Sequence, residues 1–256
     1  MFGSGSSGNC IYIASEGAKL LVDLGLPALR VEKCLKAVGS SPDEISVLLT
    51  HAHHDHVSGV DTFCRRNKGT AVYCHEDCLG SLYHKLGDAR KKLISVGGDF
   101  FVGDVTVSPF RVSHDVPCVG YSILSGGKKV TVATDIGKMP QKLLESVADS
   151  DLMVLESNHD EVLLENNRTY SPYLKKRILS DKGHLSNAAC AECVAYLACH
   201  GVKQVVLAHL SRENNYPELA FETCKNYLCS RGLCEGRDIR LEVAEADRMS
   251  SLFEIV

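Results

Sequence analysis

The chain has 256 residues, 45% hydrophobic and 23% charged, so it holds enough apolar material for a core and is not globally disordered. With 28 Lys+Arg against 32 Asp+Glu its formal charge is −4, and it lacks the broad basic surface of a sequence-reading DNA-binding module. Twelve scattered cysteines, no leader pattern and no run near the ~20 apolar residues of a membrane span point to reduced thiols, a cytoplasmic location and no membrane partner.

The predicted elements follow in order. A glycine–serine loop, Gly3 to Asn9, runs into a strand from Cys10 to Ala14, and Lys19 to Asp23 closes a hairpin. Ala28 to Val38 has helical spacing, with Val31, Leu35 and Val38 on one face and Gly39 as the stop. Ile45 to Thr50 is a short continuous apolar run that suits a buried strand. Residues 70–74 read as extended, 100–113 as two extended pieces around Gly103-Asp104, and 119–134 as a hairpin turning at Gly126-Gly127. Buried strands are expected at 152–155 and 204–208, helices at 139–147, 172–179, 186–200 and 217–230, and a last strand at 239–244. Hairpins first and alternating strands and helices later predict sheets covered by helices, in one domain spanning 1–256.

The segment that carries chemistry is Thr50-His51-Ala52-His53-His54-Asp55-His56, directly after the strand at 45–50. Imidazoles and a carboxylate are the groups that hold zinc-like ions, and each would need its own partner if merely buried. His51 and His53 can serve one site, Asp55 and His56 a neighbouring one. His114, Asp135 and His209 each follow an apolar strand, so they reach one edge if those strands share a direction. His54 has no assigned role, and His75, His84 and His200 are read as structural.

H-x-H-x-D-H followed by His, Asp and His in this order resembles the metallo-β-lactamase superfamily. The resemblance implies an α/β fold, an αββα sandwich of two mixed sheets flanked by helices. It implies two divalent metal ions (Zn, Mn or Fe). One is held by His51, His53 and His114, the second by Asp55, His56 and His209, with Asp135 bridging and Asp23 orienting the loop. The bridging acid favours the branch with glyoxalase II-like thioesterases, lactonases and phosphodiesterases. Residues 155–160 and 182–186 are similar to segments of the tRNA 3′-processing nucleases, where a Glu and a His assist the leaving group. Here those are Glu156 and His184, counted with Asp55 as catalytic.

Over almost its whole length the chain is similar to the YycJ/WalJ-like subfamily, through its Ser-Gly-Ser-Ser-Gly-Asn opening, residues 51–56 and 156–160, Gly183 to Asn187, and His209 to Asn215. That implies a phosphodiester hydrolase acting on nucleic acid, a 5′→3′ DNA exonuclease. The alternative is a small-molecule hydrolase of the same fold. Ser7, Asn9, His159 and Arg212 are candidate substrate contacts, the glycine loop through backbone N–H groups that cradle phosphate. Lys91-Lys92, Lys128-Lys129 and Lys175-Lys176-Arg177 are small basic clusters that could track a DNA backbone. Cys190 and Cys193 form a C-x-x-C inside a predicted helix, where burial as small apolar residues is the expected role.

Overall fold

Apolar runs flanked by turn residues set the strands. The computed structural model describes residues 1–87 and 89–255, in two compact units. One comprises Met1–Arg111, Val116–Ser125 and Ala246–Leu252, the other Val112–Asp115, Gly126–Glu245 and the residues from Phe253.

In the first unit, β1 (Ile11–Ala14) and β2 (Lys19–Val22) pair as the expected hairpin. Helix α1 (Ala28–Ala37) follows and buries Ala28, Val31 and Leu35; Val38 is its C-cap, and Gly39 ends it at φ +71°. β3 (Ile45–Leu49) is buried at every position, as a strand between two parallel neighbours must be. Short helices α2 (His54–Val57) and α3 (Val60–Arg66) lead to β4 (Ala71–His75), then α4 (Leu79–Leu82) and β5 (Arg90–Ile94). The sheet order is β1-β2-β3-β4-β5, parallel from β2 onward. Leu21, Val31, Leu35, Val47, Leu49, Phe63, Val72 and Leu82 form its core. β6 (Phe100–Val102), β7 (Val105–Arg111) and β8 (Val119–Ser125) make an antiparallel meander, and Tyr121 on β8 donates to the Leu49 carbonyl at 2.6 Å.

The second unit alternates strand and helix. It runs β9 (Lys128–Ala133), α5 (Gln141–Val147), β10 (Leu152–Glu156), α6 (Glu161–Asn166) and α7 (Pro172–Ile178). Then come α8 (Asn187–Cys199), β11 (Gln204–Ala208), α9 (Pro217–Ser230) and β12 (Arg240–Val243). The four strands are parallel in the order β12-β11-β10-β9, so their C-terminal ends share one edge. Ser186 caps α8 by accepting from Ala189 N at 3.2 Å. Cys190 and Cys193 are buried on α8 as small apolar residues, with their thiol pKa values pushed up by burial. All twelve cysteines are thiols. No helix among the described residues is long and apolar enough to cross a membrane.

Candidate active site

In the first unit, β3 delivers the chain to Thr50 and His51, and His53 is the N-cap residue of α2. The single turn of α2 carries Asp55 and His56 back past His51. The His51 ring lies 4.7 Å from that of His53 and 4.1 Å from that of His56, centroid to centroid. His51 and His56 are buried, His53 and Asp55 half-buried, and His54 is exposed.

Asp23 and Thr50 fix the tautomers. Asp23 Oδ1 accepts from Thr50 N (2.8 Å), and Oδ2 accepts from His56 Nδ1 (2.7 Å) and from the Thr50 hydroxyl (2.9 Å). A hydroxyl has one proton, and Thr50 gives it to the carboxylate. His51 Nδ1, 2.9 Å from Thr50 Oγ1, must therefore be the donor in that pair. Both His51 and His56 then carry their lone pair on Nε2. For His56 that atom lies 3.3 Å from Asp55 Oδ2, one acceptor facing another. Imidazole lone pairs gathered beside a carboxylate are the donor set of a divalent cation.

The glycine–serine loop is built into this scaffold. Asn9 N donates to Asp55 O (2.8 Å), Gly25 N to Asn9 O (2.9 Å) and Leu24 N to His56 O (2.8 Å). Gly25 has no room for a side chain, since a Cβ there would lie 1.6 Å from Asp55 O. The Asn9 side chain is spent on the same brace: Oδ1 accepts from Gly5 N (2.9 Å), while Nδ2 lies 3.1 Å from Gly5 O and 3.1 Å from His56 Nε2. Gly8 N donates to Gly5 O (3.0 Å). The amides of Gly5 and Gly8 are thus used within the loop and that of Asn9 on Asp55 O, so these three do not form a phosphate cradle. Ser7 is exposed at its tip.

In the second unit, Asp135 follows β9, Glu156 ends β10 and His209 follows β11. Asp135 and His209 adopt left-handed backbone, at φ +59° and +58°, as Asp23 does at +60° in the first unit. Such conformations cost of order 1–3 kcal/mol each and gather at functional sites. Glu156 is fully buried and saturated. Oε1 accepts from His184 Nδ1 (2.8 Å) and His209 Nδ1 (2.7 Å), and Oε2 accepts from Ile136 N (2.8 Å) and Leu185 N (3.0 Å). Burial would raise its pKa, but the charge and hydrogen bonds of His184, with those of His209, hold it down to about 2. Burial depresses His184 in turn, and the Glu156 carboxylate more than offsets it, so its pKa is raised.

Asp135 Oδ1 lies 3.7 Å from His209 Nε2 and 3.9 Å from both His114 Nε2 and His184 Nδ1. Ligand atoms of Asp135, Glu156, His184 and His209 lie within 4.8 Å of one another. His114 points Nδ1 at the Gly183 carbonyl (3.2 Å), which leaves its lone pair on Nε2; burial lowers its pKa and keeps the ring neutral. Asp115, held by Arg177, brings a carboxylate oxygen 3.2 Å from that Nε2, an acid the sequence reading passed over.

Amide groups lock the three loops that carry these residues. Asn215 Nδ2 lies 2.9 Å from Ser157 O, 3.0 Å from Asn158 O and 2.9 Å from Asn187 Oδ1. Asn187 Nδ2 donates back to Asn215 Oδ1 (3.0 Å), and Asn158 Nδ2 donates to His209 O (2.8 Å). His159, a candidate substrate contact, is 1% exposed; neither ring nitrogen has a hydrogen-bond partner, and burial lowers its pKa. Arg212 is exposed on the loop after β11. His75 accepts from Asp77 N (3.1 Å) and His200 stacks on Tyr196, both structural as expected.

The family described as the beta-lactamase superfamily domain matches residues 21–210. Exodeoxyribonuclease WalJ of Streptococcus pneumoniae is 34% identical over 259 residues, 98% of this chain and 96% of that protein. Exodeoxyribonuclease YycJ of Bacillus anthracis is 34% identical over 238 residues, 91% of this chain and 89% of that one. Among solved structures, the metallo-beta-lactamase fold protein YhfI from Bacillus subtilis superposes with a TM-score of 0.70 at 17% identity, over 95% of this chain and 94% of its own.

Proposed function

The chain belongs to the metallo-β-lactamase superfamily, in the group of WalJ and YycJ, and we propose that it is a metal-dependent 5′→3′ DNA exonuclease. It is a hydrolase of phosphodiester bonds. The observation that carries the nucleic-acid reading is the pair of His184, partly exposed, and the buried carboxylate of Glu156. A thioester expels a thiolate without much help, whereas the alkoxide of a nucleotide needs a proton. Glu156 fixes Nδ1 of His184 and supports its protonated form, so Nε2 is the atom that delivers that proton.

His51, His53 and His114 would hold one divalent ion and Asp55, His56 and His209 a second, with Asp135 between them. The donor set fits: His51, His56, His114 and His209 each carry the Nε2 lone pair, set by Thr50, Asp23, Gly183 and Glu156 in turn. When bound, such a pair supplies a nucleophile at neutral pH and neutralises charge on the phosphoryl oxygens. Zinc, manganese and iron all suit His/Asp ligation. Two dications against two carboxylates would leave the site positive, a charge that suits DNA despite the acidic chain. The twelve thiols suit a reducing compartment, the cytoplasm.

The test compares 5′- and 3′-end-labelled DNA and RNA, single- and double-stranded, with cyclic nucleotide and thioester panels. Stepwise release from the 5′ end of DNA, lost with a chelator and restored by metal, is the expected result. Turnover of a small ester with no cleavage of any polymer would overturn the reading.

A further inference from the structure

The second unit places its two basic clusters differently. Lys128 and Lys129 open β9, at the end of that strand away from Asp135, and pair with Asp151 at 3.6 Å and with Asp149. On α7, Lys175, Lys176 and Arg177 follow one another and point in three directions about 100° apart. Lys175 Nζ turns back to the Glu165 carbonyl at 2.6 Å. Arg177 turns towards His114 instead: Asp115 Oδ2 accepts from its Nε at 2.8 Å and from its Nη2. The other oxygen of that carboxylate lies 3.2 Å from His114 Nε2. One carboxylate therefore separates the guanidinium from a nitrogen of the metal-ligand set.

The main chain fixes the same residue. Arg177 O accepts from Ser180 N (3.2 Å) and Ser180 Oγ (2.8 Å), and Ile178 O accepts from His184 N (3.0 Å). A Cβ on Gly183 would lie 2.0 Å from Ile178 O and 2.4 Å from Arg177 O, so the end of α7 and the His184 loop touch directly. Helix α7 buries no side chain, yet its backbone already ties it to that loop. The ion pair with Asp115 is left to orient the guanidinium, whose side chain stays 47% exposed. Two of its five N–H donors go to Asp115, and three remain in a planar fork that matches the oxygens of a phosphate.

We infer that Arg177, aimed by Asp115, grips the phosphate next to the scissile one. The width of the Asp115 carboxylate keeps the guanidinium off a phosphate seated at His114 and leaves it to the neighbour along the strand. Such a contact sets the register of the backbone without reading its bases. It also sorts substrates, because a cyclic nucleotide or a thioester has no second phosphodiester to offer. The inference rests on the exonuclease reading and names what that site reads: a strand of consecutive phosphates.

The test is fluorescence anisotropy of the metal-loaded protein with labelled, cleavage-resistant phosphorothioate DNA, duplex and single-stranded. A dinucleoside phosphorothioate, which carries one phosphate, is titrated in to displace it. Arg177→Gln is expected to weaken DNA binding roughly 10- to 100-fold and dinucleoside binding far less. The slope of log affinity against log salt should fall by about 0.9 on duplex and about 0.7 on single strands. Arg177→Lys keeps the charge and loses the planar fork, so it should restore the slope and only part of the affinity. If the parent cleaves DNA yet Arg177→Gln binds it with the parent's affinity and slope, the grip is overturned alone. That holds even where kcat has fallen, since a disturbed His184 loop would slow proton delivery without weakening binding. Equal losses on DNA and the dinucleoside would also overturn it, because the second phosphate would then not be the contact. A parent protein that neither binds nor cuts DNA would overturn the grip and the exonuclease reading together.

Discussion

His184 and His209 share one carboxylate oxygen: Glu156 Oε1 accepts from Nδ1 of both, at 2.8 and 2.7 Å. One buried charge thereby sets two rings to different tasks. His209 turns a lone pair towards Asp135, and His184, partly open to solvent, has its pKa raised by the same carboxylate against the effect of burial.

His184→Ala is accordingly expected to slow DNA hydrolysis by roughly 10²- to 10⁴-fold. Hydrolysis of bis(p-nitrophenyl) phosphate, whose leaving group needs no proton, should fall far less. Steady-state rates on the two substrates check this, and equal losses would remove His184 as the acid.

Substitutions at Asp23 and Asp135 are expected to separate orientation from ligation. Asp23→Ala removes the partner of His56 Nδ1 and of Thr50, and metal affinity should fall about 10- to 100-fold, read by chelator competition. Asp135→Ala should lower occupancy of both ions in elemental analysis. Two equivalents retained after dialysis would show that Asp135 does not bridge.

Gly25→Ala sets a Cβ against Asp55 O at 1.6 Å, so the ligand loop must shift. A destabilisation of about 3 kcal/mol is expected, a fall in Tm of roughly 6–12 °C, together with weaker metal retention. Gly80→Ala is the control: it has nothing within 4 Å, lies in α4 and should be neutral or mildly stabilising. Calorimetry of the two variants side by side decides the matter.

The buried thiols predict alkaline weakness. Burial, with smaller charge effects, pushes Cys64 and Cys78 up to about 11, and burial pushes Cys193 and Cys224 up to about 12, from 9.0. These groups stay protonated in the fold but ionise in the unfolded chain above pH 9. Their contribution is complete below pH 9 and shrinks as pH rises toward the folded values, by about 1.4 kcal/mol per thiol per pH unit. Urea midpoints should therefore hold up to pH 9 and drop sharply between pH 9 and pH 11. At pH 8 a thiol reagent should modify exposed Cys199 and Cys229 first, with the buried thiols reacting only on unfolding.

Much of the site was legible because parallel strands deliver their C-terminal residues to one edge, so Asp135 and His209 could be read from where apolar runs stop, while Glu156 and His184 came only from the resemblance to the tRNA 3′-processing nucleases. Most strands and helices followed from hydrophobic periodicity, and the two mixed sheets from the family resemblance. Thr50 and Asn9 were not readable as what they are, because their roles depend on which proton faces which ring across distant segments. Nor did pattern reveal β5, where Arg90, Lys91 and Lys92 run together without alternation at a sheet edge. The turn of helix at His54–Val57 was masked by the very residues that made the segment conspicuous. Left-handed backbone at Asp23, Asp135 and His209 leaves no mark on hydrophobic spacing.

The lattice of Ser157, Asn158, Asn187 and Asn215 contains no ionisable group. Acid, alkali and ionic strength therefore have no direct grip on it, and the loops bearing Glu156, His184 and His209 keep their spacing while the charges they carry change during turnover. The moving protons are housed in a frame that does not titrate.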